Sequence, residues 1–142
     1  LVADPVSQPK AARLRDALAR VDVLFAGPEE AAELVAVSGD AAHLAAALHA
    51  AGVGTAVVSR GSSGVVLADS AGVRVYDAVA PERVADVTGA GDALLGGYIA
   101  GLLAGGPAAP ILWGLAAASV VVAGDGAVPA DLTRARVEAL VD

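Results

Sequence analysis

Between Asp92 and Asp125 the chain carries no charged residue, and that run, Ala93 to Gly124, limits its folds more than any other feature. A charge-free stretch of this length has to be buried, in protein or in lipid. Gly105-Gly106-Pro107 and Pro110 divide it into pieces of roughly 13 and 14 residues, short of the ~18 to 20 that a spanning helix needs. Both pieces are rich in alanine and glycine, which suits two short helices packed closely inside an α/β protein. The spacing Gly97-x-x-x-Gly101 permits close helix approach in either solvent, so a membrane hairpin is the competing reading.

Composition narrows the classes further. With 56% hydrophobic and 18% charged residues in 142, the chain is too apolar for disorder and large enough for one core. A net charge of −7 argues against a phosphate-backbone partner such as nucleic acid. The absence of cysteine excludes disulfides, thiolate metal sites and a cysteine nucleophile. The chain also lacks methionine and opens Leu1-Val2-Ala3-Asp4 in a strand-like pattern, so it is expected to be a piece of a longer protein. No charged n-region precedes an apolar stretch, so no leader peptide is read.

Period and punctuation give the order of elements. Leu1-Val2-Ala3 reads as the end of a strand, Asp4 to Ser7 as a loop, and Lys10 to Arg20 as a helix with Ala11, Leu14, Ala17 and Leu18 on one face. Val23 to Ala26 is a buried strand, followed by helices over 29–37 and 41–51, with Asp40 as N-cap and Gly52 as the stop. Thr55 to Ser59 is a further buried strand. Strands over 65–68 and 73–76, the second alternating outward and inward, form a hairpin, and helices over 90–104, 109–123 and 131–140 complete the chain. This alternation predicts an α/β fold: parallel strands, an antiparallel edge hairpin and a helical C-terminal part. Asp4, Gly27-Pro28-Glu29-Glu30 and Arg60 to Gly64 each follow a predicted strand, so they converge on the rim where such sheets bind ligands.

The sharpest chemical signal is Asp86-Val87-Thr88-Gly89-Ala90-Gly91-Asp92, running directly into the uncharged helix. Small residues at a helix N-terminus bring unpaired amides and a partial positive charge to one point, an oxyanion cradle. Asp92 in the first turn can take a proton from a hydroxyl while those amides hold the phosphoryl group that the hydroxyl attacks, or it can simply favour the helix dipole. Ser59-Arg60-Gly61-Ser62-Ser63-Gly64 can wrap polyphosphate oxygens, or it is an ordinary turn. Glu29-Glu30 can hold Mg²⁺ through water, or it decorates a helix N-terminus. His43 and His49 lie on different helix faces rather than at metal-pair spacing, and Trp113 and Tyr98 read as core aromatics, either of which can also line a base pocket. The only lysine is Lys10, so no Walker A loop exists, and neither G-x-G-x-x-G with its acidic partner nor G-x-S-x-G occurs.

Taken together, the string Asp86 to Asp92 resembles the second signature of the PfkB/ribokinase family of sugar and nucleoside kinases. The turn Ser59 to Gly64 is similar to that family's ATP-phosphate turn, and Glu30 stands at the acidic position of its N-x-x-E magnesium motif. The resemblance covers the chain as the C-terminal, ATP-binding and catalytic part of a ribokinase-like three-layer domain; the N-terminal half with the sugar site and lid is absent. It implies Asp92 as catalytic base and Gly89, Ala90 and Gly91 as the anion hole. It further implies ATP phosphates on Ser59, Arg60, Gly61, Ser62, Ser63 and Gly64, and Mg²⁺ on Glu30 through water. The adenine pocket would be bordered by the segment from Ala116 to Gly126, and a monovalent cation such as K⁺ would sit at Asp86 and Thr88. Where the family has asparagine, this chain has Gly27, which removes a side-chain amide from the nucleotide and metal network.

Within the family, Asp4-Pro5-Val6-Ser7-Gln8-Pro9-Lys10-Ala11 is similar to the D-P-V-S-x-x-K-A stretch of pseudouridine kinases. The resemblance therefore implies an ATP- and Mg²⁺-dependent, cytoplasmic kinase acting on a primary hydroxyl, the 5′-OH of pseudouridine first. Another sugar or nucleoside kinase and a non-catalytic nucleotide-binding module are the alternatives. The partners implied are small molecules, not nucleic acid or membrane, with homodimerisation of the full-length protein left open. Alone, the chain is expected to be inactive and prone to self-association, because half an α/β protein leaves apolar surface uncovered.

Overall fold

The computed structural model describes residues 1–5, 8–106 and 108–141. Val6 and Ser7 of the D-P-V-S stretch, and Pro107 of the predicted break, lie outside the described residues. The chain divides into two compact units, Leu1–Asp77 and Ala78–Asp142.

The first unit is a five-stranded sheet in the order β1 (Val2–Ala3), β2 (Val23–Ala26), β3 (Thr55–Ser59), β4 (Val65–Asp69) and β5 (Gly72–Tyr76). The first three strands run parallel, with Val2 opposite Val23 and Leu24 opposite Ala56; β4 and β5 are antiparallel, as the hairpin reading requires. Side chains alternate across a strand, so Leu24, Ala26, Ala56, Val58, Val66 and Ala68 share one face. That face packs in one cluster with Leu34, Leu44 and Leu48, all at most 1% exposed. Full burial of such a leucine contributes about 1.5–3 kcal/mol, so this cluster is the main stabilising element of the unit. Phe25, Val57, Val65 and Leu67, on the opposite face, are buried as well, which explains why β2 to β4 read as unbroken apolar runs. On β5 the alternation puts Val73 and Val75 outward, while Arg74 turns to Asp69, with which it forms an ion pair.

The helices of this unit depart from expectation in detail. Residues 8–20 form a short α1 (Gln8–Ala11) and then a 3-10 helix (Ala12–Arg20) rather than one α-helix. Apolar residues at 11, 14 and 17 fit a period of three as well as 3.6, so the pattern could not separate the two. Helix α2 (Pro28–Val35) stops early because Ala36 turns into the left-handed region at φ 54°, ψ 36°. Helix α3 (Ala41–Ala50) starts where predicted, with Asp40 Oδ1 accepting the His43 N–H at 2.8 Å.

The second unit is helical: α4 (Ala90–Ala104), α5 (Pro110–Ala123) and α6 (Arg134–Val141). α4 and α5 are the two halves of the charge-free run. Among the described residues no helix is long and apolar enough to cross a membrane. The two helices meet through glycine: a Cβ on Gly97 would lie 2.6 Å from the Trp113 carbonyl oxygen, and one on Gly114 would lie 2.5 Å from that of Leu94. Backbone lies against backbone there. α6 begins three residues later than predicted, because Asp131 to Thr133 are spent on a turn and Thr133 caps the helix, its Oγ1 taking the Arg136 N–H at 3.3 Å. Leu103 and Val128, 83% and 81% exposed, are the most open large apolar side chains among the described residues.

This contact separates three glycines of one helix pair. Gly97→Ala and Gly114→Ala should each destabilise by about 1–3 kcal/mol, the usual effect of overpacking. Gly96→Ala, with nothing within 4 Å of the added carbon, should be neutral or stabilise by up to about 1 kcal/mol through helix propensity. Urea unfolding midpoints check this, and three equal shifts would contradict it.

Candidate active site

Because β1, β2 and β3 are parallel, the segments that follow them leave the sheet of the first unit at the same edge. Asp4, Gly27 to Glu30 and Arg60 to Gly64 therefore share that rim, as the alternation predicted. At the start of α2 the Glu30 carboxylate reaches back, Oε2 accepting the Gly27 N–H at 2.7 Å. Gly27 supplies no side chain in return, so only half of a capping box is made. Its backbone, at φ −72° and ψ 165°, is open to any residue, and a Cβ there would meet Glu30 Oε2 at 3.3 Å.

The turn after β3 is a single 3-10 turn, Gly61–Ser63, closed by Arg60 N–H to Gly64 O at 2.8 Å and Ser63 N–H to Arg60 O at 3.1 Å. Gly61, Ser62 and Ser63 are exposed. Arg60 folds back on this turn, donating to Ser63 O at 2.6 Å and lying 3.7 Å from Asp77. Its charge is thus partly answered within the turn rather than held out for a ligand.

In the second unit the motif is built stepwise. Ala85 and Asp86 donate their N–H groups to Val122 O at 2.9 and 3.3 Å, tying the incoming chain to the end of α5. Asp86 Oδ1 accepts the Thr88 N–H at 2.8 Å, and this bond, then one from the Thr88 hydroxyl, holds the Asp86 carboxyl below the usual aspartate range. Ala90 N–H closes on Val87 O at 3.2 Å, leaving Gly89 at φ 83°, ψ −2°, the position of a type II turn that favours glycine. A Cβ on Gly89 would also lie 2.9 Å from the Ala127 carbonyl oxygen. Helix α4 follows at once.

Of the three residues that the resemblance assigns to the anion hole, Ala90 spends its N–H inside the turn. The amides of Gly89, Gly91 and Asp92 have no backbone acceptor among the described residues, and Gly91 and Asp92 are exposed. The Asp92 carboxylate stands beside them in the first turn of α4. Gly89 and Asp92 form one end of a cavity of about 570 Å³, whose floor includes Ala93, Gly97, Trp113 and Ala117. Trp113 does border a pocket, while Tyr98 is buried within the layer.

Residues 116–126 divide. Ala116 is fully buried against Trp113, Ala117 and Val137 and presents no surface to a ligand. Ser119, Val120, Ala123, Gly124 and Asp125 line a second cavity of about 710 Å³, together with Glu82, Arg83 and Arg136. Gly126, at φ 83°, lies in the loop beyond. His49 bonds Val53 O through Nδ1 at 2.8 Å and His43 is exposed, so neither takes part in the site. Among the described residues no three His, Asp or Glu side chains gather to cage a metal. Arg83 and Ala127 were not singled out in the sequence: one is a lone basic residue in a loop, the other one alanine among many.

Comparison with known proteins gives three kinds of match. The family model described as pfkB family carbohydrate kinase matches residues 1–134. The chain is similar to the pseudouridine kinase of Escherichia coli, 39% identical over 98 residues, and to the cytidine kinase of Thermococcus kodakarensis, 35% identical over 96. These segments cover 66% of this chain in both cases but only 31% and 34% of those proteins. A solved carbohydrate kinase from Agrobacterium tumefaciens superposes on 99% of this chain with a TM-score of 0.79 and 34% identity, and the match spans 45% of it.

The Asp86 turn carries a pH dependence of known sign. A carboxyl whose folded pKa is depressed stabilises above its unfolded value, and loses that contribution as pH falls through the folded one. Followed by carboxyl NMR, Asp86 should titrate below the ordinary 3.8, with the Thr88 amide shifting in the same step. Titration at or above that value contradicts the turn.

Proposed function

The chain belongs to the pfkB family of carbohydrate kinases, and from that membership we propose that it is the ATP-binding and catalytic part of a kinase phosphorylating a primary hydroxyl of a sugar or nucleoside. The observation that carries this is the first turn of α4, where one carboxylate, Asp92, stands beside two unpaired amides on a preformed turn. In-line transfer asks a protein mainly for positioning and charge stabilisation, and these groups supply both. Asp92 takes the proton of the attacking hydroxyl as its oxygen bonds to the γ-phosphorus, and the bond from phosphorus to ADP breaks. The Gly91 and Asp92 amides hold the equatorial oxygens as the phosphoryl passes.

The other residues take supporting places. The exposed Gly61-Ser62-Ser63 turn holds ATP phosphates, and Ser119, Val120, Ala123 and Gly124 border the adenine. Magnesium keeps waters and binds through phosphates and one or two carboxylates, so a single protein carboxylate suits it. Glu30 would hold it through water, and it supplies charge neutralisation when bound with ATP. Asp86 and Thr88 are the candidates for a monovalent cation such as K⁺.

As acceptor we take the 5′-OH of pseudouridine, on the Asp4 to Ala11 stretch and the similarity to the E. coli enzyme. Similarity to a cytidine kinase keeps other nucleosides next in line. Gly27 favours a second reading, a nucleotide-binding module without catalysis, because the asparagine of N-x-x-E is missing. Gly27→Asn tests that reading: the backbone there accepts it, and a gain of turnover from none would establish the loss.

The experiment is ATP- and Mg²⁺-dependent phosphorylation of pseudouridine, cytidine, uridine, adenosine, ribose and fructose by the complete reading frame. Selective 5′-phosphorylation of pseudouridine is expected. Preference for another acceptor discards the substrate but keeps the kinase, and nucleotide binding without turnover on any favours the module. Gly91→Ala, whose added carbon meets nothing within 4 Å, should leave unfolding unchanged while lowering turnover about tenfold or more by crowding the oxyanion donors.

A further inference from the structure

We propose that Arg83 is a positioning residue for phosphoryl transfer, a clamp that sets both walls of the Gly89 turn. The inference rests on the reading of Asp92 and its neighbouring amides as the transfer site. Arg83 lies outside the motif, on the wall of the second cavity, and the segments on either side of that turn are anchored where it binds.

Its Nε donates to Ala123 O at 2.9 Å, and a terminal nitrogen lies 3.3 Å from Asp125 Oδ1. Ala123 and Val122 close α5, so their carbonyls belong to the helix end that carries partial negative charge and lacks intrahelical donors. Val122 O takes the Ala85 and Asp86 amides, and Ala123 O takes the guanidinium. Upstream, this fixes Asp86, whose carboxylate shapes the turn through Thr88. Downstream, it holds Asp125 two residues before Ala127, whose carbonyl and Cβ press on Gly89.

Magnitudes decide which contact matters. Arg83 and Asp125 side chains are 62% and 89% exposed, so their ion pair is a weak stabiliser. The bond to the helix-end carbonyl carries the clamp, and the planar fork lets one side chain serve carbonyl and carboxylate together. Lysine, a single point of charge, can serve one at a time.

The test uses the complete reading frame and the variants Arg83→Ala, Arg83→Lys and Asp125→Asn. Arg83→Ala should lower kcat about 10- to 100-fold, as a displacement near 1 Å does, with any rise in KM for ATP smaller than that fall. Arg83→Lys should recover part of the loss, and Asp125→Asn should lower kcat less than Arg83→Ala does. Hydrogen exchange is the second readout: in Arg83→Ala, residues 86–94 and 123–128 should exchange faster, while α3 stays as in the wild type. Wild-type kcat with unchanged exchange overturns the clamp, and so does faster exchange in α3 to the same degree, which would mark a general loss of stability. If the wild type transfers no phosphoryl group, the kinase reading fails and the exchange pattern alone still decides for or against the clamp.

Discussion

A single backbone position, Gly89, ties the chemistry of this chain to its fold. Its positive φ closes the turn that delivers the chain into α4, and its missing side chain leaves room for Ala127. A left-handed residue other than glycine would be strained there, and any Cβ would collide with a carbonyl oxygen. Because the turn consumes the Ala90 amide, the next two amides are left facing outward, with a carboxylate beside them. The proposed anion cradle would thus follow from turn geometry.

The same preference for small residues builds the layer behind it. α4 and α5 carry no charge after Asp92, so their stability comes from contact area and close approach rather than from ion pairs. Gly97 and Gly114 let the two backbones touch, and Trp113 fills the space that smaller residues leave at the other end, with Arg134 5.8 Å above its ring. A site whose donors sit on the first turn of such a helix inherits its rigidity. This is the arrangement expected where a reaction depends on fixed dipoles more than on covalent chemistry.

Much of this was legible in the residues alone. The strands were, because β-branched runs bounded by glycine admit few other conformations, and so was their direction, because helices separate the first three and a short turn joins the last two. The Asp40 cap and the Asp86 to Asp92 motif were legible because each acts through its immediate neighbours. What escaped depends on distance along the chain or on near-degenerate geometry. The 3-10 form of Ala12–Arg20 differs from an α-helix by a fraction of a residue per turn, and the late start of α6 reflects a cap at Thr133, two residues into the predicted helix. Arg83 and Ala127 reach their partners only after α5 folds between them, so no local pattern announces them. Ala116 shows the converse: helical phase turns that residue into the core, which a reading along the chain does not resolve.

The central claim, that the first turn of α4 is where a phosphoryl group is transferred, is tested most directly by Asp92→Asn in the complete reading frame. The substitution keeps the size and the helix while removing the base. Turnover should fall by about 10² or more with ATP affinity essentially unchanged, the signature of an interaction made at the transition state. Turnover equal to that of the wild type would contradict the account and return Asp92 to the role of a helix-capping charge.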